Sequence, residues 1–170
     1  MKTFLSIGAG PGLGLATAER FAREGFRIVL SARNAGKTDA LADELRAKGH
    51  TVETRTVDAG DPGSVAGLVA EVEGAFGVDV LHYNAAAMRQ ARLADRPRDT
   101  FNGDLTVNVG GALAQGLFDS LKERNIHVAT VTVAGFVSPG SKDAEAVAER
   151  FWQLHDEPRE TWSLETVYTP

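Results

Sequence analysis

The sequence predicts an α/β domain in three layers, a doubly wound parallel sheet of about five or six strands with helices on both faces. Three observations predict it. Short runs rich in β-branched residues alternate with longer stretches of helical periodicity along nearly the whole chain, as in a parallel sheet covered by helices. The first such run ends in a cluster of glycines that opens the first helical stretch. The 170 residues, 43% hydrophobic and 24% charged, suit one globular domain, residues 1–170, without repeat, linker or low-complexity tract.

Taken in order, Thr3 to Ile7 reads as the first strand and stops at Gly8. Leu13 to Glu24 follows as a helix, with Leu15, Ala18, Phe21 and Ala22 on or near one face and Gly25 just past its end. Arg27 to Ser31 is the second strand. The next helix runs from about Thr38 to Lys48, buries Leu41 and Leu45, and ends at Gly49. Thr51 to Val57 alternates in polarity, which suits a strand near the sheet edge. Pro62 to Phe76 is a helix with Val65, Leu68, Val69, Val72 and Phe76 turned inward, and Val78 to Tyr83 is the fourth strand. An arginine-rich connection, Arg89 to Asp99, includes Arg92, Arg96 and Arg98 and reads as a solvated loop. One helical stretch then runs from about Thr100 to Arg124, although Gly103, Gly110, Gly111 and Gly116 each weaken it by up to ~1 kcal/mol. Ile126 to Val133 is the fifth strand. Ser141 to His155 is the last helix, with an apolar stripe of Ala144, Val147, Ala148, Phe151 and Leu154, and Thr166 to Tyr168 forms a short terminal strand.

Composition narrows the function. A net charge of -5 argues against general nucleic-acid binding, because phosphate attraction needs a basic surface. No apolar run approaches the ~18 residues of a membrane helix, and the first residues lack a secretory h-region, so neither membrane nor export is expected. With no cysteine, the expected location is cytoplasmic. His50, His82, His127 and His155 lie on separate elements without metal-ligand spacing, so no metal site is expected and they read as surface or satisfied strand positions.

The glycine cluster carries the chemistry. Gly8-Ala9-Gly10-Pro11-Gly12-Leu13-Gly14 joins the first strand to the first helix. A turn with so few side chains lets backbone N–H groups approach an anion, and the helix N-terminus adds roughly half a positive charge. Glycines of a tight turn would satisfy the local backbone equally well. The order strand, glycines, helix at the first βα turn favours a dinucleotide pyrophosphate, and the absence of a Gly-Lys-Ser/Thr ending argues against a triphosphatase loop.

The spacing Gly8-x-x-x-Gly12-x-Gly14 resembles the cofactor signature of the short-chain dehydrogenase/reductase family, whose fold is Rossmann-like. That resemblance assigns Gly8, Gly10, Pro11, Gly12, Leu13 and Gly14 to cofactor binding. After the second strand, Ala32 stands where relatives often carry an acid for the ribose 2′-OH, and Arg33 follows, suited to a 2′-phosphate. The resemblance therefore implies NADP, with NAD as the alternative. Asp58 and Ala59 match the segment that contacts the adenine, and Asp58 has a second role available in capping the next turn. Asn84-Ala85-Ala86 resembles the family's Asn-Ala-Gly motif. Asn108 resembles the helix asparagine counted among the catalytic residues. Ala134-Gly135-Phe136-Val137 resembles the loop near the nicotinamide, which implicates Gly135 and Val137.

The chain departs from the family in one place. Relatives use a tyrosine as general acid, a lysine four residues later that lowers its pKa from ~10, and a serine that orients the carbonyl. Of the two tyrosines here, Tyr83 is followed four residues later by Ala87 and Tyr168 is too near the last residue. Residues Thr106–Ala112 resemble the family's fifth helix and Ala114–Asn125 the end of its sixth, so the strand and active-site loop between them are missing. The gap is somewhat more than the ~30 residues of a βαβ unit. The expectation is that the family's sixth strand moves into the vacant place, giving strand order 3-2-1-4-5.

The resulting expectation is an NADP-binding family member, a carbonyl or alcohol oxidoreductase by resemblance, inactive in this chain. The competing reading is a non-catalytic dinucleotide-binding or scaffold protein. A third treats the chain as a shortened form of a working enzyme. The expected partners are the dinucleotide and, only in an active form, a small carbonyl or alcohol. A homodimer is left open, whereas the usual tetramer is not expected, because the helices through which relatives dimerise are fused here.

Overall fold

A computed structural model describes residues 1–86 and 118–170. The arginines of the connection at 89–99, most of the stretch expected to be helical at 100–124, and Asn108 lie outside the described residues. The elements are β1 (Thr3–Ile7), α1 (Leu13–Arg23), β2 (Arg27–Ala32), α2 (Ala35–Ala47), β3 (Val52–Thr56), α3 (Pro62–Phe76), β4 (Val80–Tyr83), β5 (Thr130–Val133), α4 (Lys142–Asp156) and β6 (Glu165–Tyr168). Residues 118–123 are also helical.

Local chemistry sets most boundaries. α2 starts three residues before the expected Thr38 because the Asn34 side chain accepts the Lys37 N–H at 2.9 Å, which caps the helix there. Asp61 caps α3 from Gly63 N–H, with Pro62 at its first position, and Ser141 caps α4 from Ala144 N–H. Gly25, Gly49 and Gly77 follow α1, α2 and α3 with positive φ, where a side chain would be strained. β5 is shorter than the expected strand from Ile126. Ahead of it, His127 stacks on Trp162 with centroids 4.7 Å apart, and its Nε2 lies 2.8 Å from Ser163 O.

The main sheet is parallel, in the order β3-β2-β1-β4. β3 lies at the edge as its alternation suggested. Arg55 there pairs with Glu53 and, at 2.6 Å, with Glu71, charges that discourage a further strand from joining. One face packs Phe4, Ile28 and Leu30 against α1 and α2; the other packs Leu5, Ile7 and Val29 against Leu68 and Val72 of α3. These are the three layers predicted.

The expected order 3-2-1-4-5 is not what the structure has. β5 pairs with β6 in a separate two-stranded parallel sheet, and among the described residues no strand joins it to β4. The reason lies in the helix layer. α4 docks on α1, where Trp152 meets Phe21 edge to face at 5.2 Å, the Arg20 guanidinium covers Trp152 at 4.6 Å, and Arg20 pairs with Glu149 at 2.5 Å. That docking fixes β5, one turn before α4, independently of β4. Residues of β4, β5, α1 and α4 line a cavity of about 1070 Å³.

His82 of β4 borders this cavity and is 5% exposed, between Phe4 and Phe151. Burial lowers its pKa from 6.5 to about 4. Above pH 6.5 the ring is neutral in both folded and unfolded chains. Between pH 6.5 and 4 the unfolded chain holds the extra proton, so stability falls with falling pH, by about 3 kcal/mol in total. Urea unfolding across this range should show that loss in the natural chain and a correspondingly flatter profile in His82→Leu. Parallel profiles would refute the assignment.

Candidate cofactor-binding site

The site begins at Gly8, where β1 ends. The Gly8 and Ala9 N–H groups both donate to Ser31 O at 2.9 Å, which ties the turn to β2. Gly8 has φ +90, and a Cβ there would lie 2.4 Å from Ala85 N and 2.5 Å from Ala85 Cα. Only glycine permits that approach. Asn84 secures the other side, with its N–H donating to Ile7 O at 2.8 Å and its Nδ2 to Gly8 O at 3.2 Å. A Cβ on Gly14 would lie 3.3 Å from Ala9 Cα, Gly8 O and Asn84 Nδ2, so the start of α1 is also pressed onto the turn.

The remaining glycines leave the outer side open. Nothing lies within 4 Å of a Cβ built on Gly10, and Pro11 is exposed. Gly12 stands at the N-cap of α1, where no side chain caps the helix and no acidic residue occupies the first turn. Leu15 N–H donates to Gly10 O and Ala16 N–H to Gly12 O. The N–H groups of Gly12, Leu13 and Gly14 have no acceptor among the described residues. Unsatisfied donors at the positive end of a helix, with no side chain in front of them, form an anion site.

Other residues singled out in the sequence stand at the carboxyl ends of the parallel strands, around the same edge. Arg33 follows β2, is exposed, and has no hydrogen bond or ion pair among the described residues. Its neighbour Asn34 is committed to capping α2. Asp58 follows β3 and does cap the next turn: its Oδ1 accepts Gly60 N–H at 2.9 Å and its own N–H donates to Ser64 Oγ. It remains exposed, whereas Ala59 packs into the second core. Ala86 is exposed beyond Ala85.

After β5, Ala134 N–H donates to Tyr168 O, Gly135 is exposed against Pro170, and Val137 is half-buried. This loop passes the glycine turn at Pro139, whose Cγ lies 3.8 Å from a Cβ built on Gly12. Sequence reasoning missed that neighbour. The signal available was the turn Ser138-Pro139-Gly140, whose direction depends on how α4 docks.

Neither tyrosine is prepared as an acid. Burial raises the Tyr83 pKa. The Tyr168 hydroxyl donates to Asp143 Oδ1 at 2.7 Å, and that carboxylate pushes its pKa up, away from the range a proton donor needs.

Known proteins share this fold and much of this sequence. A family model described as short chain dehydrogenase matches residues 2–138. A (2S)-[(R)-hydroxy(phenyl)methyl]succinyl-CoA dehydrogenase subunit, BbsD, from Thauera aromatica is 37% identical over 109 residues, 64% of this chain and 43% of that protein. Dehydrogenase/reductase SDR family member 7B from Bos taurus is 34% identical over 157 residues, 86% of this chain and 48% of its own. The chain thus spans under half the length of these two curated relatives. Among solved structures, a short-chain dehydrogenase from Rhodopseudomonas palustris superposes with TM-score 0.83 at 21% identity, covering 99% of this chain and 98% of that one. A metagenomic short-chain oxidoreductase solved with NADP gives TM-score 0.87 at 18% identity, covering 99% and 97%. With its glycine turn, its parallel sheet and a family model matching most of its length, the chain belongs to the short chain dehydrogenase family.

Proposed function

We propose that this chain binds NADP through the glycine turn and Arg33, and that by itself it transfers no hydride to a carbonyl. The observation that carries the binding is the uncapped start of α1, where three adjacent N–H groups lie open beside a turn that admits no side chain at Gly8. When bound, the cofactor supplies the hydride chemistry. The residues of this chain would cradle the pyrophosphate (Gly12, Leu13, Gly14), hold the 2′-phosphate (Arg33) and flank the adenine (Asp58, Ala59). Asn84 and Ala85 would fix the turn, and Gly135 and Val137 would stand by the nicotinamide. Relatives solved with NADP or NADPH support the choice of cofactor.

The inactivity rests on the missing Tyr-x-x-x-Lys and on two tyrosines whose pKa values move the wrong way. The reading thus overlaps with that of a non-catalytic dinucleotide-binding protein, and a cytoplasmic location belongs to it. Fluorescence titration with NADPH and NADH tests it. NADPH should bind more tightly, and Arg33→Ala should weaken NADPH by about tenfold or more while leaving NADH nearly unchanged, as expected for a lost charged hydrogen bond. Binding of neither nucleotide would leave the glycine turn a structural feature only. Steady consumption of NADPH with a ketone or aldehyde would overturn the inactivity.

A further inference from the structure

His155, in the last turn of α4, belongs to the aromatic group that joins α4 to α1. Its imidazole meets Phe21 and Phe26 edge to face, each at 5.5 Å, and lies tilted against Trp152 at 5.4 Å. The ring is half-buried and makes no hydrogen bond or ion pair among the described residues. Four ionisable groups face it. Lys2, whose ammonium lies 5.6 Å from the centre of the Phe26 ring, and His127 oppose a proton there. Asp156, the next residue of α4, and Asp79, just ahead of β4, favour one. Arg20 covers Trp152 in the same group, but its charge is matched by Glu24 and Glu149. Burial, with Lys2 adding to it, outweighs the two carboxylates and holds the His155 pKa below its ordinary 6.5. The last turn of a helix favours a cation, yet no carbonyl or carboxylate among the described residues accepts a hydrogen bond from this ring.

We propose that His155 is a proton-sensitive latch: the neutral ring packs α4 onto α1, and the protonated ring releases it. A proton on His155 sets a second cation against Phe26 beside Lys2 and leaves an imidazolium without an acceptor among three aromatic rings. Undocking carries the ring to water, where it takes the proton at its ordinary value. Above pH 6.5 the ring is neutral whether docked or undocked, and docking is at full strength. Below pH 6.5 the undocked form takes the proton first, so docking weakens as pH falls. The loss levels off once the pH passes the lowered value of the docked ring. The inference does not depend on cofactor binding.

The test compares native-state hydrogen exchange of the full chain with that of His155→Phe, which keeps an aromatic ring but takes no proton. Both are measured at about pH 7.5 and about pH 5.5, one unit to either side of the ordinary histidine value, as protection factors that remove the intrinsic effect of pH. The Val147, Phe151 and Trp152 amides of α4 should be less protected than those of Leu5 and Ile7 at both pH values, since undocking leaves β1 in place. On going to the lower pH, α4 protection should fall about threefold to tenfold further in the natural chain than in His155→Phe, tenfold being the limit for one histidine. His82, which packs on Phe151, contributes equally in both chains. Lys2→Met should shrink the extra fall, and it carries the test if His155→Phe does not fold by circular dichroism. The proposal is overturned if the fall is the same in the natural chain and His155→Phe, if Lys2→Met leaves it unchanged, or if the α4 amides are as protected as those of β1.

Discussion

Gly8→Ala should lower the stability of the chain by about 3 kcal/mol or more and abolish NADPH binding. Two costs combine there. The residue holds φ +90, where alanine is strained, and the new methyl would lie 2.4 Å from Ala85 N, which is backbone and cannot swing aside. Relief requires β1 to part from the segment after β4, which would also break the Asn84 bonds to Ile7 O and Gly8 O. Gly10→Ala is the matched control. Its methyl meets open space, so stability should change by no more than about 0.5 kcal/mol, as for an ordinary surface site. Urea unfolding of the two variants distinguishes a turn that needs glycine for its fold from one that merely contains it. Equal effects would refute the distinction.

Phe21→Ala should destabilise by about 3–5 kcal/mol. Phe21 is 1% exposed at the centre of an aromatic group, stacked on Phe4 at 4.5 Å and meeting Phe26, Trp152 and His155 edge to face. Removing the ring leaves a cavity that its stiff aromatic neighbours cannot collapse into, and it loosens α4 from α1. Tryptophan fluorescence followed through urea unfolding should therefore show both a lower midpoint and an altered folded baseline from Trp152. A loss below about 1 kcal/mol would mean that the site repacks freely.

Much of the fold was legible because its determinants are local. The Pro62–Phe76 helix, the inward stripe of α1 and the edge position of β3 follow from periodicity and alternation within a few residues of each position. The arrangement of the glycine turn was legible for the same reason. The start of α2 was misjudged because an Asn34 cap outweighed the weak helical preference of Gly36. The place of β5 was not legible, since it depends on a contact between Trp152 and Phe21 rather than on any strand preference. Reading His82 as satisfied was half right: its Nδ1 lies 3.3 Å from Ser6 Oγ, while Nε2 is buried without a hydrogen-bond partner.

The docking of α4 on α1 has a consequence for how this chain comes apart. A continuous sheet transmits cooperativity through its hydrogen-bond ladder, but among the described residues the ladder stops at β4. Among the described residues, the β5–α4–β6 segment is joined to β1–β4 mainly through the α1–α4 pair, anchored by Trp152 and the Arg20–Glu149 bridge. That segment is expected to open as a separate unit while β1 to β4 stay folded, which native-state hydrogen exchange would read as a lower opening free energy for its amides. Among the described residues, the seam along which the chain is expected to part therefore runs between two helices and not between two strands.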